Sequence, residues 1–162
     1  MVPAVRVQRA TRAARAPSAA RLALWARAAG AQAGRTLTVR LVGYPESRRL
    51  NESFRGKSGA TNVLAFPAGK PLPGVEAELG DLVICLPLVL REARQQGKKP
   101  LDHLAHLVVH GTLHLLGHDH DQAAKARKME NAEVRILRGL GIGDPYRQRE
   151  PAPARPRSRR TS

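Results

Sequence analysis

The stretch HGTLHLLGHDH, residues 110–120, places His110, His114 and His120 at the spacing H-x-x-x-H-x-x-G-x-x-H. On a helix, His110 and His114 lie one turn apart and project from the same face. Leu107, Val108 and Leu115 then turn to other faces and can anchor the helix in a core. Gly117 predicts where this helix stops, because glycine enters the left-handed conformation at little cost. A chain that turns there can swing His120 back toward the other two rings. Two imidazoles at this spacing are half of a metal site, and a third leaves the fourth tetrahedral position open.

The same three-histidine spacing occurs in metzincin proteases, which need Glu directly after the first His. Here that position is Gly111. Peptide hydrolysis requires a group that activates water and protonates the leaving amine, and glycine does neither. Phosphodiester hydrolysis instead accumulates negative charge on phosphoryl oxygens, which positioned cations relieve. A metal ion supplies one such cation and lowers the pKa of bound water to about 7. Three imidazoles suit zinc and also accept nickel or copper. Asp119, beside His120, is a candidate base or outer orienting group.

All six histidines (His103, His106, His110, His114, His118 and His120) fall within eighteen residues. His103 and His106 read most simply as structural histidines next to the site. His118 reads as an exposed group or a substrate contact.

The rest of the chain supports a polyanionic partner. Its 162 residues carry 28 Lys and Arg against 13 Asp and Glu, a net charge of +15. Such a balance favours nucleic acid or an anionic surface. No apolar run is long enough to span a bilayer; nucleic acid is the expected partner, with no membrane. The single cysteine, Cys85, excludes an internal disulfide and sits in the apolar run LVICL as a small buried hydrophobe. The first 45 residues hold many arginines and no Asp or Glu, as transit peptides do. Yet VRVQRA alternates like a strand, and SAARLALWARAA has helical periodicity with Leu22, Trp25 and Ala29 on one face, so both read as parts of the fold and the transit role is the disfavoured alternative.

Working outward, residues 4–10 predict a strand, and Ser18 caps a helix ending near Gly30. RTLTVRLVG has period two, with Leu37, Val39 and Leu41 on the buried face. Residues 45–55 form a short helix opened by Pro45, followed by the turn GKSGA. TNVLAF is apolar on both faces and reads as an inner strand. GDLVICL, bounded by Gly80 and Pro87, is another strand. Pro87 opens a helix that stops at Gly97, and Asp102 caps the histidine helix. Residues 121–140 form an amphipathic helix with Met129, Ala132, Ile136 and Leu140 inward. The fold class is α+β: one domain over residues 1–150, a small mixed sheet of about four strands packed with helices. The metal site lies on a helix and its following turn. Residues 151–162, PAPARPRSRRTS, form a basic Pro/Arg-rich tail expected to be disordered.

A basic segment, LNESFRGKSGATNVLAFP, places Arg55 and Lys57 where a helix gives way to a loop before a strand. This segment, with HGTLHLLGHDH and LGDLVIC, resembles the YbeY family of bacterial endoribonucleases and ribosomal RNA maturation factors. The resemblance covers about residues 5–147, with VRVQRA near its start and GLGIGDPY at its close. It implies a single-strand-specific, zinc-dependent endoribonuclease. The implied role is 3′-end maturation of small-subunit ribosomal RNA, ribosome biogenesis and ribosome quality control in the cytoplasm. It implies one Zn2+ held by His110, His114 and His120, Arg55 as catalytic and RNA-binding residue, and Lys57 as a further RNA contact. Implied partners are ribosomal RNA and the small ribosomal subunit, one of its proteins and an Era-type GTPase. Two positions depart from the family pattern: His118 replaces the usual Tyr of G-Y-D-H, and Ala65 stands where Ser is common. A non-catalytic zinc-binding ribosome-assembly factor and a zinc peptidase are the alternative readings.

Overall fold

The computed structural model describes residues 5–12, 16–31, 35–69, 73–74, 77–118 and 121–147. The described elements are β1 (Val5–Ala10), α1 (Ala19–Ala28), β2 (Arg35–Val42), α2 (Tyr44–Arg55), β3 (Val63–Pro67), β4 (Ala77–Cys85), α3 (Leu86–Gln96), α4 (Pro100–Leu115) and α5 (Ala123–Gly139). The four strands form one mixed sheet in the order β1-β2-β4-β3. β1, β2 and β4 run parallel, and β3 pairs antiparallel with β4. The α+β class and the four-strand sheet match the sequence reading.

Local chemistry accounts for most element boundaries. The Ser18 side chain accepts a hydrogen bond from the Arg21 amide at 3.2 Å, which satisfies one orphan donor at the start of α1. Pro45 and Pro87 sit in the first turns of α2 and α3, where a missing N–H costs nothing. Leu22, Trp25 and Ala29 are buried, as are Leu37, Val39 and Leu41.

α4 is the central helix. It packs against α1, α3 and α5, and against β3 and β4. Its buried Leu104, Leu107, Val108 and Leu113 join Leu82 and Ile84 of β4 in the main core. The opposite sheet face carries a smaller cluster of Val42, Leu64, Val83 and Cys85, with Leu50 of α2 packed against it. Cys85 is fully buried, and burial pushes its thiol pKa up, so it behaves as the small hydrophobe its setting suggested.

Three expectations need correction. β3 is an edge strand, not an inner one. Its apolar character comes from α4 on one face and the smaller cluster on the other, a covering that sequence cannot distinguish from two flanking strands. Gly80 does not bound β4 but lies inside it, at a bulge where Thr36 pairs with Glu78 and Leu37 with Gly80. A Cβ on Gly80 would stand 2.3 Å from the Phe66 carbonyl oxygen, so glycine permits the close approach of β3. Asp102 does not cap α4. The helix starts earlier, with Lys99 at the cap and Pro100 in the first turn, which leaves Asp102 to favour the helix dipole from inside that turn.

Candidate metal centre and nucleic-acid cleft

α4 ends as its glycine predicts. Gly117 has φ 96°, the Gly117 amide donates to the His114 carbonyl at 3.0 Å, and the His118 amide donates to the Leu113 carbonyl at 3.0 Å. This pair of bonds is the Schellman closure, which satisfies the last carbonyls and turns the chain away from the helix axis. His120 and Asp119 follow that turn and lie outside the described residues. Among the described residues, no group of three or more His, Cys, Asp or Glu is arranged to hold a metal ion.

What the structure does bring together is the helical pair. The rings of His110 and His114 have centroids 4.7 Å apart at an interplanar angle of 79°. Both line a cleft of about 600 Å³ whose other wall carries Phe54, Arg55 and Lys57, with β3 along its floor. Arg55 is the last residue of α2, and Lys57 follows Gly56. Their loop is fixed from below. The Ser47 hydroxyl donates to the Thr61 carbonyl at 2.7 Å and accepts from the Thr61 amide at 3.0 Å. The Asn51 side chain donates to the Gly59 carbonyl at 2.9 Å. Buried Ser47 and Asn51 thus hold the basic loop over the cleft. Phe54 stands 69% exposed at the rim, with its ring edge-to-face on Phe66 at 5.5 Å.

Gly111 also lines this cleft, but its missing side chain would point elsewhere. A Cβ there would stand 2.6 Å from Leu82 Cδ2. Glycine at 111 therefore lets α4 approach β4, besides removing the group a peptidase would use.

Sequence reading missed Glu133, the most deeply buried charged group described. Glu133 is 0% exposed, on α5 where that helix packs against α4. One carboxylate oxygen, Oε1, meets His110 Nδ1 at 2.6 Å and His106 Nε2 at 3.2 Å. The other, Oε2, accepts from the Tyr146 hydroxyl at 2.5 Å. Desolvation alone would raise this carboxyl's pKa, but the hydrogen bonds from His106, His110 and Tyr146 outweigh it and hold the pKa down to about 2. An ionised carboxylate can only accept, so the 2.6 Å contact calls for the Nδ1 side of the His110 ring to be the donor. The signal for Glu133 was its position: four residues after Met129 and four before Leu137, both buried. A carboxylate on an apolar helix stripe must find buried donors.

His103 and His106 each place Nε2 against a carboxylate, and the Nδ1 of each is buried without a hydrogen-bond partner among the described residues. His103, 5% exposed, places Nε2 3.2 Å from Glu92 Oε1, and Glu92 also accepts from the Asn62 side chain at 3.1 Å. Desolvation lowers the His103 pKa against the opposing pull of Glu92. The sign follows: the unfolded chain takes up this proton more readily. Stability is therefore full above the unfolded value near 6.5 and is lost as pH falls from there through the folded pKa. The urea midpoint should drop more in the wild type than in His103→Gln between about pH 7.5 and about pH 5.5. Equal drops would remove His103 from the account. His118 is half-buried just past the helix end.

The chain is similar to known proteins over most of its length. The family model described as "Endoribonuclease YbeY" matches residues 7–141. A protein named Endoribonuclease YbeY from Alkalilimnicola ehrlichii is 56% identical over 138 residues, covering 81% of this chain and 82% of the relative. Relatives of the same name from Halorhodospira halophila and Methylococcus capsulatus are 51% and 50% identical, each alignment covering 83% of this chain and 90% of the relative. Matched over most of its length and along the segments that build the cleft, this chain belongs to the YbeY family.

Proposed function

We propose that this protein is a zinc-dependent endoribonuclease that cuts single-stranded RNA during ribosomal RNA maturation in the cytoplasm. The observation that carries the reading is the meeting of two basic residues, Arg55 and Lys57, with the paired imidazoles His110 and His114 in one cleft. The relatives' name, Endoribonuclease YbeY, supports the reaction class. The net charge of +15 supports an RNA or ribonucleoprotein substrate.

His110 and His114, with His120 as third ligand, would hold the ion. The donor set fits: both rings share one cleft, and with Nδ1 of His110 tied to Glu133, its Nε2 is the nitrogen that would ligate the metal. When bound, zinc supplies Lewis-acid charge and an acidified water. Arg55 is suited to bind a phosphoryl oxygen bidentately and to stabilise the charge that develops on it. Lys57 steers and retains the RNA backbone. Phe54, exposed at the rim, offers a ring face to an unpaired base, which suits single strands over a duplex. Gly111 supplies no carboxylate base, which supports a phosphodiester over a peptide substrate, and a Cβ there would already stand 2.6 Å from Leu82 Cδ2. The small ribosomal subunit, one of its proteins and an Era-type GTPase are the partners that accompany this reading, with ribosome quality control as the wider role.

The test is zinc content measured beside cleavage of a single-stranded ribosomal RNA fragment, for wild type and Arg55→Glu. Arg55→Glu should retain zinc and lose cleavage by about 100-fold or more, the scale of removing one charge-stabilising donor. Wild-type cleavage by this variant would remove Arg55 from the chemistry. A metal-loaded wild type that binds ribosomes but cuts no RNA would turn the reading to a non-catalytic assembly factor.

A further inference from the structure

We infer that Glu133, held in place by Tyr146, is a positioning residue that fixes the tautomer and ring orientation of His110. The inference rests on the reading of His110 as a metal ligand. Its test uses imidazole protonation and zinc affinity rather than cleavage, so the two can fail separately.

The geometry is directional. Glu133 stands on α5, which packs against α4, and is 0% exposed, and its Oε1 meets His110 at Nδ1, 2.6 Å away. His110 itself lines the cleft. An imidazole pinned through Nδ1 must direct Nε2 to the other side of the ring. A solvated neutral histidine favours the opposite protonation, so the buried acceptor is needed to set this one. A metal-ligating histidine whose second nitrogen donates to a carboxylate is held in orientation and made a better donor.

Tyr146 completes the device. It arrives from the segment after α5, beyond a turn in which the Tyr146 amide donates to Asp144 Oδ1 at 2.8 Å. The Lys98 ammonium anchors that segment by donating to the Pro145 carbonyl at 2.9 Å. The Tyr146 hydroxyl then donates to Oε2 of Glu133, which occupies the oxygen that His110 does not use. The ring of Tyr146 packs edge-on to His106 at 5.3 Å, and His106 shares Oε1 with His110. Each Glu133 oxygen thus has a donor, and the carboxylate has no freedom to swing from His110. A purely structural carboxylate would satisfy the same burial rule without aiming at the ring that lines the cleft.

The test is nitrogen-15 imidazole NMR on the metal-free protein together with zinc competition titration. In the wild type, His110 should show the Nδ1–H tautomer. In Glu133→Gln, which keeps the side-chain shape and removes the charge, the Nε2–H form should grow, and zinc affinity should fall by about 10- to 100-fold. Tyr146→Phe, which removes only the donor to Oε2 from a 44% exposed ring, should shift both readouts in the same direction by less. It also carries the test if Glu133→Gln does not fold. A folded Glu133→Gln with the wild-type tautomer and wild-type zinc affinity would overturn the inference, as would a wild type with its proton on Nε2.

Discussion

Replacing His114 by alanine should remove bound zinc and RNA cleavage together, with the loss of rate reaching about 100-fold or more, while the fold survives. His114 faces His110 at 4.7 Å between ring centroids, one turn away on the same helix. A tetrahedral zinc site with one imidazole removed has lost a third of its protein ligands, and open catalytic sites have no spare donors. The side chain lines the cleft instead of filling the core, so truncation creates no buried cavity. The thermal midpoint should therefore stay within a few degrees of that of the metal-free wild type, as for substitutions outside the core. Metal analysis, RNA cleavage and a melting curve on one preparation check all three parts. Retained zinc with retained cleavage would remove His114 from the site.

The second large effect concerns stability. Gly111→Glu should cost about 3–5 kcal/mol, from overpacking against a filled core and from desolvating a carboxylate. The new Cβ would lie 2.6 Å from Leu82 Cδ2, and Leu82 is wholly buried. Against a typical total stability of about 5–15 kcal/mol, such a variant is marginal at body temperature. Gly111→Ala meets the same Leu82 contact with its single methyl, but it buries no carboxylate and regains about 1 kcal/mol of helix propensity, so it should cost less. Urea unfolding of the three proteins separates the cases. A Gly111→Glu protein as stable as wild type would show that α4 and β4 are not so closely packed.

These two variants also mark what the sequence made legible. The helix of His110 and His114, its stop at Gly117, and the placement of Arg55 and Lys57 at a helix-to-loop junction all rest on local rules. Spacing on a helix and the conformational freedom of glycine operate within a few residues, and the structure follows them. Glu133, Tyr146 and the edge position of β3 depend instead on which elements pack together. The residues joining Glu133 lie 13, 23 and 27 positions away, so no window along the chain contains the reason for it. Gly80 misled for a related reason. A glycine that ends a strand and a glycine inside a bulge look alike until the neighbouring strand is known.

The tie between Tyr146 and Glu133 has a consequence for the order in which the molecule is completed. Chains emerge from the ribosome N-terminus first, and early segments begin to fold before late ones appear. The sheet, α4 and both cleft-lining histidines precede Glu133, and Glu133 precedes Tyr146. A nascent chain can thus assemble the sheet and histidine helix while the carboxylate against His110 still lacks its final donor. Proteolysis between Gly141 and Tyr146 would return the finished protein to that state, with every cleft-lining residue still attached.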